Sequence, residues 1–414
     1  MSGPSGEIVI HAGKLLAEPG QPAATRQSIR IVDGKIASIT DGFIIPPVGA
    51  KLIDLKDRFV LPGLIDCHVH LTMQLGPNQR LRFVEDSDPK IGLDGAHRAR
   101  LTLEAGFTTV RDLGARKPEV IYALRDAVAE GVVPGPRILC VGALLSPTGG
   151  HGQTYGLRQD VCRCVQSTVG VCDGVDGCRR AVRLQVAQGA DAIKFAATGG
   201  VLSNIRAGVD QQFTTDELSA IIETAHTLGR RVSAHAHGTA GINAALRAGV
   251  DSIEHGSFLD DESIELFLEH RAFHTPTLIA GATVLGMAQG GVVLTGAQRE
   301  KALVIGEQIK SALARSYKAG VKIAFGTDMG VGPHGENARE FALMVEAGMT
   351  NADAIKAATV TAAELLDISD LTGAIAPGKS ADIIAVDSDP LADIRALERV
   401  SFVMAAGTMA DVAA

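Results

Sequence analysis

The two ends of the chain share a pattern in which apolar and polar residues alternate. Between residues 7 and 60 the segments EIVIHAG, SIRIVDGKIASI and KLIDLKDRFV follow it, with Asp33-Gly34 as the turn of a hairpin. The segments GAIAPGKSADIIAVDSDP and VSFVMAAGTMADV repeat it near the carboxy terminus. Neither end can bury a sheet face alone, so we expect residues 1–60 and 368–414 to pair into one small β-sandwich domain.

Residues 61–367 follow a different pattern, in which short apolar segments alternate with segments of helical periodicity. The helices are expected over residues 94–106, 118–130, 176–189, 215–228, 239–248, 261–270 and 297–319. The strand candidates are LIDCHVHL, TTVRDLG, RILCVGA, AIKFAA, RVSAHAHG, SIEHGS, FHTPTL and KIAFGTD. Eight such units predict an α/β fold closed into a (β/α)8 TIM barrel. A doubly wound open sheet is the competing architecture, but no G-x-G-x-x-G follows the first strand.

Composition and charge narrow the classes of partner. The chain has 39 Lys and Arg against 47 Asp and Glu, a formal charge of −8, and no basic run, so we expect no nucleic-acid partner. No apolar stretch reaches the roughly 18 residues of a membrane span. The segment MSGPSGEIVIHAGKLL lacks the basic and apolar regions of a signal peptide, which favours a cytoplasmic location.

Four of the six cysteines lie close together in the chain, between Cys162 and Cys178. Their spacing is not that of two C-x-x-C pairs, and no histidine lies among them, which argues against a zinc ribbon. A disulfide in this segment is an alternative if the protein is exported. Free thiols in a reducing compartment are our expectation.

Ionisable side chains occupy the ends of several predicted strands. Residues two apart on a strand face the same side, so His68 and His70 present two imidazoles together. A lone H-x-H arises by chance, and a lone Asp328 is typical of a helix N-cap. The whole set points to a divalent metal site, because burying such groups without partners costs several kcal/mol each. It consists of His68, His70, Lys194, His235, His237, His255 and Asp328.

Lys194 is the unusual member of this set. It lies within the apolar strand AIKFAA, where a free ammonium is costly to bury. One interpretation pairs it with a neighbouring carboxylate. Another adds CO2 to the amine, and the resulting N6-carboxylysine bridges two metal ions. Desolvation favours the second reaction, because it lowers the pKa of a lysine and exposes the free amine.

The motifs together resemble the amidohydrolase superfamily over nearly the whole chain. The resembling segments are LPGLIDCHVHL, TTVRDLG, AHAHG, SIEHG, FGTDMG and GKSADIIAVD, in this order. GGHG at 149–152, DAIKFAATGGV and HGENAREFALMVEAGMT resemble its metal-dependent dipeptidase and carboxypeptidase branch, which holds Xaa-Pro dipeptidases, arginine or lysine carboxypeptidases and ochratoxin-type amidases. The resemblance also implies the composite β-domain and a homo-oligomer.

The resemblance implies a binuclear site with two Zn2+ or similar divalent ions. His68, His70 and Asp328 would hold the more buried ion and His235 with His255 the second, bridged by carboxylated Lys194. The spacing of twenty residues between the ligands of strands five and six selects His235 rather than His237.

The implied reaction is hydrolysis of an amide bond by a hydroxide shared between the ions. Asp328 would act as general base and then general acid. His151 would be a further donor to the oxyanion, unless it is only a loop histidine between glycines. Arg111 and Asp112 are interpreted as an internal pair that supports the metal ligands.

The expected substrate is a dipeptide or an N-acyl amino acid with a free carboxylate at its carboxy-terminal end. That carboxylate needs an anchor, for which His237 is the first candidate and Tyr155, Arg158 and Arg206 are weaker ones. His274 either faces the substrate or packs in the core. The alternatives are a cyclic amide or imidazolone hydrolase or a deaminase on the same fold, and a catalytically inactive barrel that only binds.

Overall fold

The computed structural model describes residues 6–76, 79–154, 157–165, 168–203, 208–290 and 294–411. Four strands come first and three come last in the chain. They are β1 (Glu7–Leu15), β2 (Ala24–Val32), β3 (Lys35–Asp41) and β4 (Lys51–Pro62), then, past the central region, β13 (Ile383–Val386), β14 (Val400–Ala405) and β15 (Thr408–Met409).

These seven strands form one sheet in the order β15-β14-β13-β4-β1-β2-β3. The β1–β4 pair is parallel and the other pairs are antiparallel. Asp33 and Gly34 have φ values of 50° and 73°, as the two-residue turn between β2 and β3 requires, so the predicted hairpin is confirmed. The pairing of the two chain ends is therefore present as one sheet. A second sandwich layer and the domain boundaries at residues 60 and 368 stay predictions.

Eight further strands lie in the central region. They are β5 (Leu64–Val69), β6 (Phe107–Asp112), β7 (Arg137–Cys140), β8 (Ile193–Ala196), β9 (Val232–Ala236), β10 (Ser252–His255), β11 (Phe273–Thr275) and β12 (Lys322–Ile323). All are parallel to their neighbours, as the sequence pattern predicts.

The central strands form two ladders, β5-β6-β7 and β8-β9-β10-β11-β12, rather than one continuous ring. Backbone hydrogen bonds join the ladders at both ends. Leu145 N donates to Lys194 O at 2.9 Å on one side, and Cys67 N donates to Phe325 O at 2.9 Å on the other. β12 has only two residues, so its pairing with β5 is made by the irregular segment that follows it.

The helices largely follow the predicted periodicity. They are α1 (Gln79–Glu85), α2 (Asp88–Glu104), α3 (Pro118–Ala129), α4 (Gln159–Cys164), α5 (Gly174–Ala187), α6 (Thr215–Thr227), α7 (Thr239–Arg247), α8 (Asp261–His270), α9 (Leu278–Gly290), α10 (Gly296–Lys318), α11 (Arg339–Glu346), α12 (Asn351–Ala357) and α13 (Val360–Leu365), with a 3-10 helix at Ile394–Glu398. None of the helices described is long and apolar enough to cross a membrane.

Helix α9 was not predicted, and its residues explain why. The sequence LIAGATVLGMAQG is apolar around the whole circumference of the helix, so it carries no amphipathic period. The preceding FHTPTL was assigned to a strand, but β11 ends at Thr275. α9 packs against α10 and contributes Ala280, Val284 and Met287 to the wall of a cavity of about 800 Å3.

The six cysteines are all free in the described structure. Cys172 and Cys178 are buried with their Sγ atoms 3.7 Å apart, and Cys164 is exposed. The expectation of free thiols is consistent with this arrangement.

Glu340 fixes the start of α9, which leads to a test of stability. Its two carboxylate oxygens accept hydrogen bonds from Leu278 N at 2.8 Å and Ile279 N at 2.6 Å, and it is fully buried. We expect Glu340→Ala to leave two buried N–H groups unpaired, each costing about 1–3 kcal/mol. Thermal unfolding should show a lowered midpoint, whereas Glu346→Ala, which removes only surface ion pairs of the same helix α11, should shift it little. Equal midpoints for the two variants would contradict this role of Glu340.

Candidate active site

The carboxyl ends of the central strands bring together the ionisable residues predicted from sequence. His68 lies on β5, Lys194 on β8, His235 on β9 and His255 at the end of β10, and Asp328 follows β12. In parallel sheets these strand ends share one edge, so side chains far apart in sequence meet there. All of them, with His70, His151 and His237, line one cavity.

His68, His70 and Asp328 form a first group of metal-ligand type, with their ligand atoms within 4.8 Å of one another. Asp328 Oδ1 lies 3.2 Å from His70 Nε2 and 3.4 Å from His68 Nε2. The other ring nitrogen of each histidine is bound to the protein. His70 Nδ1 donates to Gly114 O at 2.8 Å, and His68 Nδ1 to Glu254 Oε2 at 2.9 Å. This leaves the two Nε2 atoms for a shared ligand, as in histidine metal sites.

His235, His237 and His255 form a second group, also within 4.8 Å. His255 Nδ1 lies 2.7 Å from Thr277 Oγ1, and His237 Nδ1 lies 2.8 Å from Ser257 Oγ. The spacing of residues in the sequence predicts that His237 contacts the substrate rather than a metal ion. Its ring nevertheless stacks on that of His255, with centroids 4.8 Å apart. By distance, three imidazoles could therefore bind a metal ion in this group, whereas the sequence predicts two.

Two buried polar atoms at the centre have no hydrogen-bond partner among the described residues. They are Lys194 Nζ and His235 Nε2. Lys194 affects the pKa values of members of both groups, including His68, Asp328, His235 and His255. Unpaired buried nitrogens are costly, and an imidazole nitrogen such as His235 Nε2 is a ligand for divalent metal ions, so the donor set is suited to them.

Burial sets the protonation of these groups. It lowers the pKa of Lys194 to about 7 and that of His68 to about 4, and it holds those of His235 and His255 well below their usual value. Burial also acts on Asp328, but the neighbouring His68 and His70 overcome it and lower the pKa of this carboxyl. Neutral imidazoles and an ionised carboxylate are the forms that bind metal.

Glu254 holds His68 of the first group through a hydrogen bond, and sequence analysis did not identify this residue. It is fully buried and accepts hydrogen bonds from His68, from Arg111 Nη2 at 3.0 Å and from Ser252 Oγ at 2.6 Å. Arg111 and Asp112 were expected to pair with each other. Instead they point to opposite faces of β6, so Arg111 binds Glu254 while Asp112 accepts from Leu71 N at 2.7 Å.

Asp66 is a second buried carboxylate that sequence analysis missed. It accepts from Thr327 Oγ1 at 2.6 Å and from Asn337 Nδ2 at 2.8 Å, and burial raises its pKa to about 7. In the loop after β12, His334 Nε2 contacts His70 O at 3.2 Å. The signal available in the sequence was D-x-H-x-H, which places Asp66 on the same strand face as His68 and His70.

Three residues at the same strand ends have strained backbone conformations. His255, Thr277 and Asp328 have φ values of 71°, 53° and 56°, which side chains with a Cβ rarely adopt. Thr277 is β-branched, so the conformation is especially unfavourable there. Such strain persists where surrounding contacts enforce it, and it is typical of functional sites.

Of the other residues predicted to contact the substrate or the oxyanion, some lie at the site and others do not. His151 lies at the site, stacked on His235 with centroids 4.1 Å apart. A Cβ on Gly200 would come within 2.4 Å of His151 Cε1, so this glycine permits the stack. Arg158 is exposed, pairs with Asp160 and does not line the cavity. Tyr155 and Arg206 lie outside the described residues.

His274 differs from the expectation of a substrate contact. It is fully buried, with Nδ1 2.8 Å from Ser316 Oγ and Nε2 donating to His255 O at 3.0 Å. It is not among the described side chains that line the cavity. Because both ring nitrogens are already used inside the protein, His274 supports the strained backbone of His255 rather than facing the cavity.

The cavity has a volume of about 800 Å3, a size typical of small-molecule sites. Its walls are mainly apolar away from the histidines, and α9 and α10 supply much of that surface. The apolar residues include Val201, Leu202, Ala280, Val284, Met287, Leu294, Ile305, Ile309 and Val331. The arrangement is that of a polar reaction centre beneath an apolar chamber.

Comparison with known proteins identifies the family. The amidohydrolase family model matches residues 59–410, which include every ligand candidate. The chain belongs to the amidohydrolase family. This membership confirms the superfamily that the sequence motifs resemble.

Two relatives of this amidohydrolase are informative. Ochratoxinase from Aspergillus niger is 35% identical, covering 94% of this chain and 83% of the relative, and its crystal structure aligns with a TM-score of 0.83 at 31% identity over 98% and 95% of the two chains. A Xaa-Pro dipeptidase crystallised with methionine bound in its active site aligns with a TM-score of 0.91 at 39% identity over 97% and 99%. Molinate hydrolase, at 23% identity and a TM-score of 0.84, shares the fold.

Glu254 provides a test of the network beneath the metal-ligand groups. We expect Glu254→Gln to weaken binding of zinc by about 10- to 100-fold, because His68 loses the carboxylate that orients its ring and Arg111 loses its counter-charge. Zinc titration of the apoprotein measures the change. Glu269→Gln, on the exposed side of α8, is the matched control and should bind zinc like the wild type. Unchanged affinity in Glu254→Gln would argue against this support.

Proposed function

We propose that the protein hydrolyses the amide bond of a dipeptide or an N-acyl amino acid that carries a free carboxylate, using two divalent metal ions. The observation that carries the proposal is the unpartnered Lys194 Nζ among two groups of metal-ligand type. The names of the relatives support it, since one is a Xaa-Pro dipeptidase and another is an ochratoxinase. We further propose that the two ladders form one (β/α)8 barrel and the composite sheet a β-sandwich domain, in a cytoplasmic homo-oligomer.

The proposed ligands are divided between the two groups. His68, His70 and Asp328 would hold one ion, and His235 with His255 the other. Lys194 would bridge them as N6-carboxylysine. The ammonium first loses a proton; the free amine then bonds to the carbon of CO2 as one C=O π bond opens, and a second proton leaves Nζ, so a buried cation becomes an anion with two oxygen ligands. A pKa of about 7 supports this reaction, because the free amine is then well populated at neutral pH.

Zinc or a similar ion would supply Lewis-acid activation of water and of the substrate carbonyl. The chain supplies the proton transfers. Asp328 belongs to the first group and lines the cavity, and its lowered pKa keeps it ionised. It can therefore accept a proton from the attacking water and deliver it to the leaving nitrogen. One carboxyl group then acts first as base and then as acid.

His151 is proposed to donate to the oxyanion. Ser203 Oγ accepts from Gly200 N at 3.2 Å and lies 2.5 Å from His151 Nδ1, so its hydroxyl hydrogen can point at that nitrogen. Nδ1 is then the acceptor, and the hydrogen of the neutral ring is on Nε2. Burial lowers the pKa of His151 to about 4, in keeping with a neutral ring. A neutral N–H donor at the cavity suits a developing oxyanion.

His237 is proposed to contact the substrate. Its Nδ1 is engaged by Ser257, while the ring lines the cavity beside His255. The apolar chamber favours a bulky acyl group or side chain over a small polar one. Tyr155 and Arg206 remain proposed contacts from neighbouring loops.

A substrate screen tests the function. Xaa-Pro dipeptides, N-acyl phenylalanines and ochratoxin-type amides are incubated with the protein, zinc and bicarbonate, and release of the free amine is measured. We expect cleavage of amides that carry the free carboxylate and loss of cleavage in Asp328→Asn, which controls for contaminating enzymes. Turnover of only cyclic imides, imidazolones or amino-heterocycles would overturn the proposal in favour of the alternative on the same fold.

The lysine bridge has its own test. Lys194→Ala should reduce zinc from two ions to one or fewer per chain, because the bridging anion is lost. A short carboxylic acid such as propionate should partly restore the second ion by occupying the space left by the side chain. Metal analysis after gel filtration gives the result. Lys322→Ala, an exposed lysine on β12, serves as control, and two ions retained in Lys194→Ala without added acid would exclude the bridge.

A further inference from the structure

Arg116 is a cation at the cavity that the preceding assignments do not use. It follows β6 and lines the cavity together with Phe83 of α1 and Thr154. The guanidinium carbon lies 3.4 Å from the centroid of the Phe83 ring, and Nη2 donates to Thr154 Oγ1 at 2.8 Å. A stacked and hydrogen-bonded guanidinium is held in one orientation, which lowers the entropy cost of binding an anion.

The charge of Arg116 is not matched by any carboxylate of the described residues. Within the described part of the chain, no carboxylate forms an ion pair with it, and Thr154 is its hydrogen-bond partner. The described charged residues that line the cavity are Asp328, Lys194 and Arg116. Burial lowers the pKa of Arg116 only to about 10, so it is a cation at neutral pH. A half-buried cation without a counter-charge is costly, and an anionic ligand would offset that cost.

The position of Arg116 ties it to the reaction centre. It lies two residues after Gly114, whose carbonyl accepts the hydrogen bond from His70 Nδ1. Its partner Thr154 lies three residues after His151. The loops that carry Arg116 and Thr154 are therefore the ones that also fix two histidines of the site.

We infer that Arg116 binds the free carboxylate of the substrate, which deepens the proposed function and rests on it. A guanidinium has five N–H donors in a planar fork that matches a carboxylate, and one of them is used by Thr154. A histidine such as His237 adds a hydrogen bond, whereas Arg116 adds a fixed charge. The selectivity for substrates that end in a carboxylate then depends on Arg116.

Binding of a matched pair of ligands tests the inference without turnover. L-phenylalanine and L-phenylalaninamide differ in the carboxylate, and calorimetry with the zinc-loaded protein gives the affinity for each. We expect the wild type to prefer the acid by about 10- to 100-fold, the range of a charge-assisted hydrogen bond, and Arg116→Gln to lose this preference. Arg116→Lys should keep part of it, since the charge remains while the fork and the stack are lost.

The controls separate recognition from structure. Arg100→Gln removes an arginine that pairs with Glu104 on α2, and it should keep the wild-type preference. If Arg116 only links α1 to the loop of Thr154, its replacement weakens acid and amide equally, and the inference is wrong. It is also wrong if the wild type does not distinguish the two ligands, or if the Lys variant loses as much preference as the Gln variant.

The outcome is distinguishable from failure of the proposed function. If the screen finds no amide hydrolysis but the preference depends on Arg116, the reaction is misassigned and the carboxylate site stands. If amides are hydrolysed and the preference does not depend on Arg116, the proposed function stands and the inference about Arg116 is wrong.

Discussion

Burial of Lys194 without a partner is the constraint on which the site depends. The lysine is 2% exposed on an apolar strand, and no described residue accepts a hydrogen bond from its Nζ. The nearby carboxylate Glu254 is already engaged by His68, Arg111 and Ser252. The sequence alternative, in which a carboxylate neutralises the lysine, therefore lacks a direct contact. Burial lowers the pKa of Lys194 to about 7, so loss of a proton can remove the charge, and the proposed reaction with CO2 would in addition supply ligand atoms.

The protein orients the histidines of the site through hydrogen bonds to other buried residues. Glu254, Gly114 and Thr277 each hold the Nδ1 side of a histidine, so that the Nε2 sides are left for ligands. Thr277 and His255 also adopt left-handed backbone conformations. These conformations cost free energy, roughly 1–3 kcal/mol each, and are maintained by the close packing around them. The strained residues His255 and Thr277 therefore lie among the candidate ligands and their hydrogen-bond partners.

Sequence analysis could predict which ionisable residues meet at the site because a period of two is strict along a strand. It placed His68 with His70, and it identified eight parallel strands from the alternation of short apolar segments with segments of helical periodicity. It could not predict Glu254, because that residue is adjacent to His255 and strict alternation would put one of them outside the site. The left-handed turn at His255 ends the strand, and both residues then contribute. The helix α9 was missed for another reason, since a fully apolar helix has no periodic pattern to detect.

Prediction of the substrate contacts was weakest for a physical reason. Metal ligands are limited to a few residue types at strand ends, whereas contacts from loops depend on how each loop packs. His274 looked suitable by position, yet its nitrogens are used by Ser316 and His255. Sequence analysis did not identify Arg116, because no sequence pattern distinguishes an arginine that lacks a carboxylate partner from one that has such a partner. The charges that a fold leaves without a partner can be identified only from the folded structure, and the proposed role of Arg116 rests on such a charge.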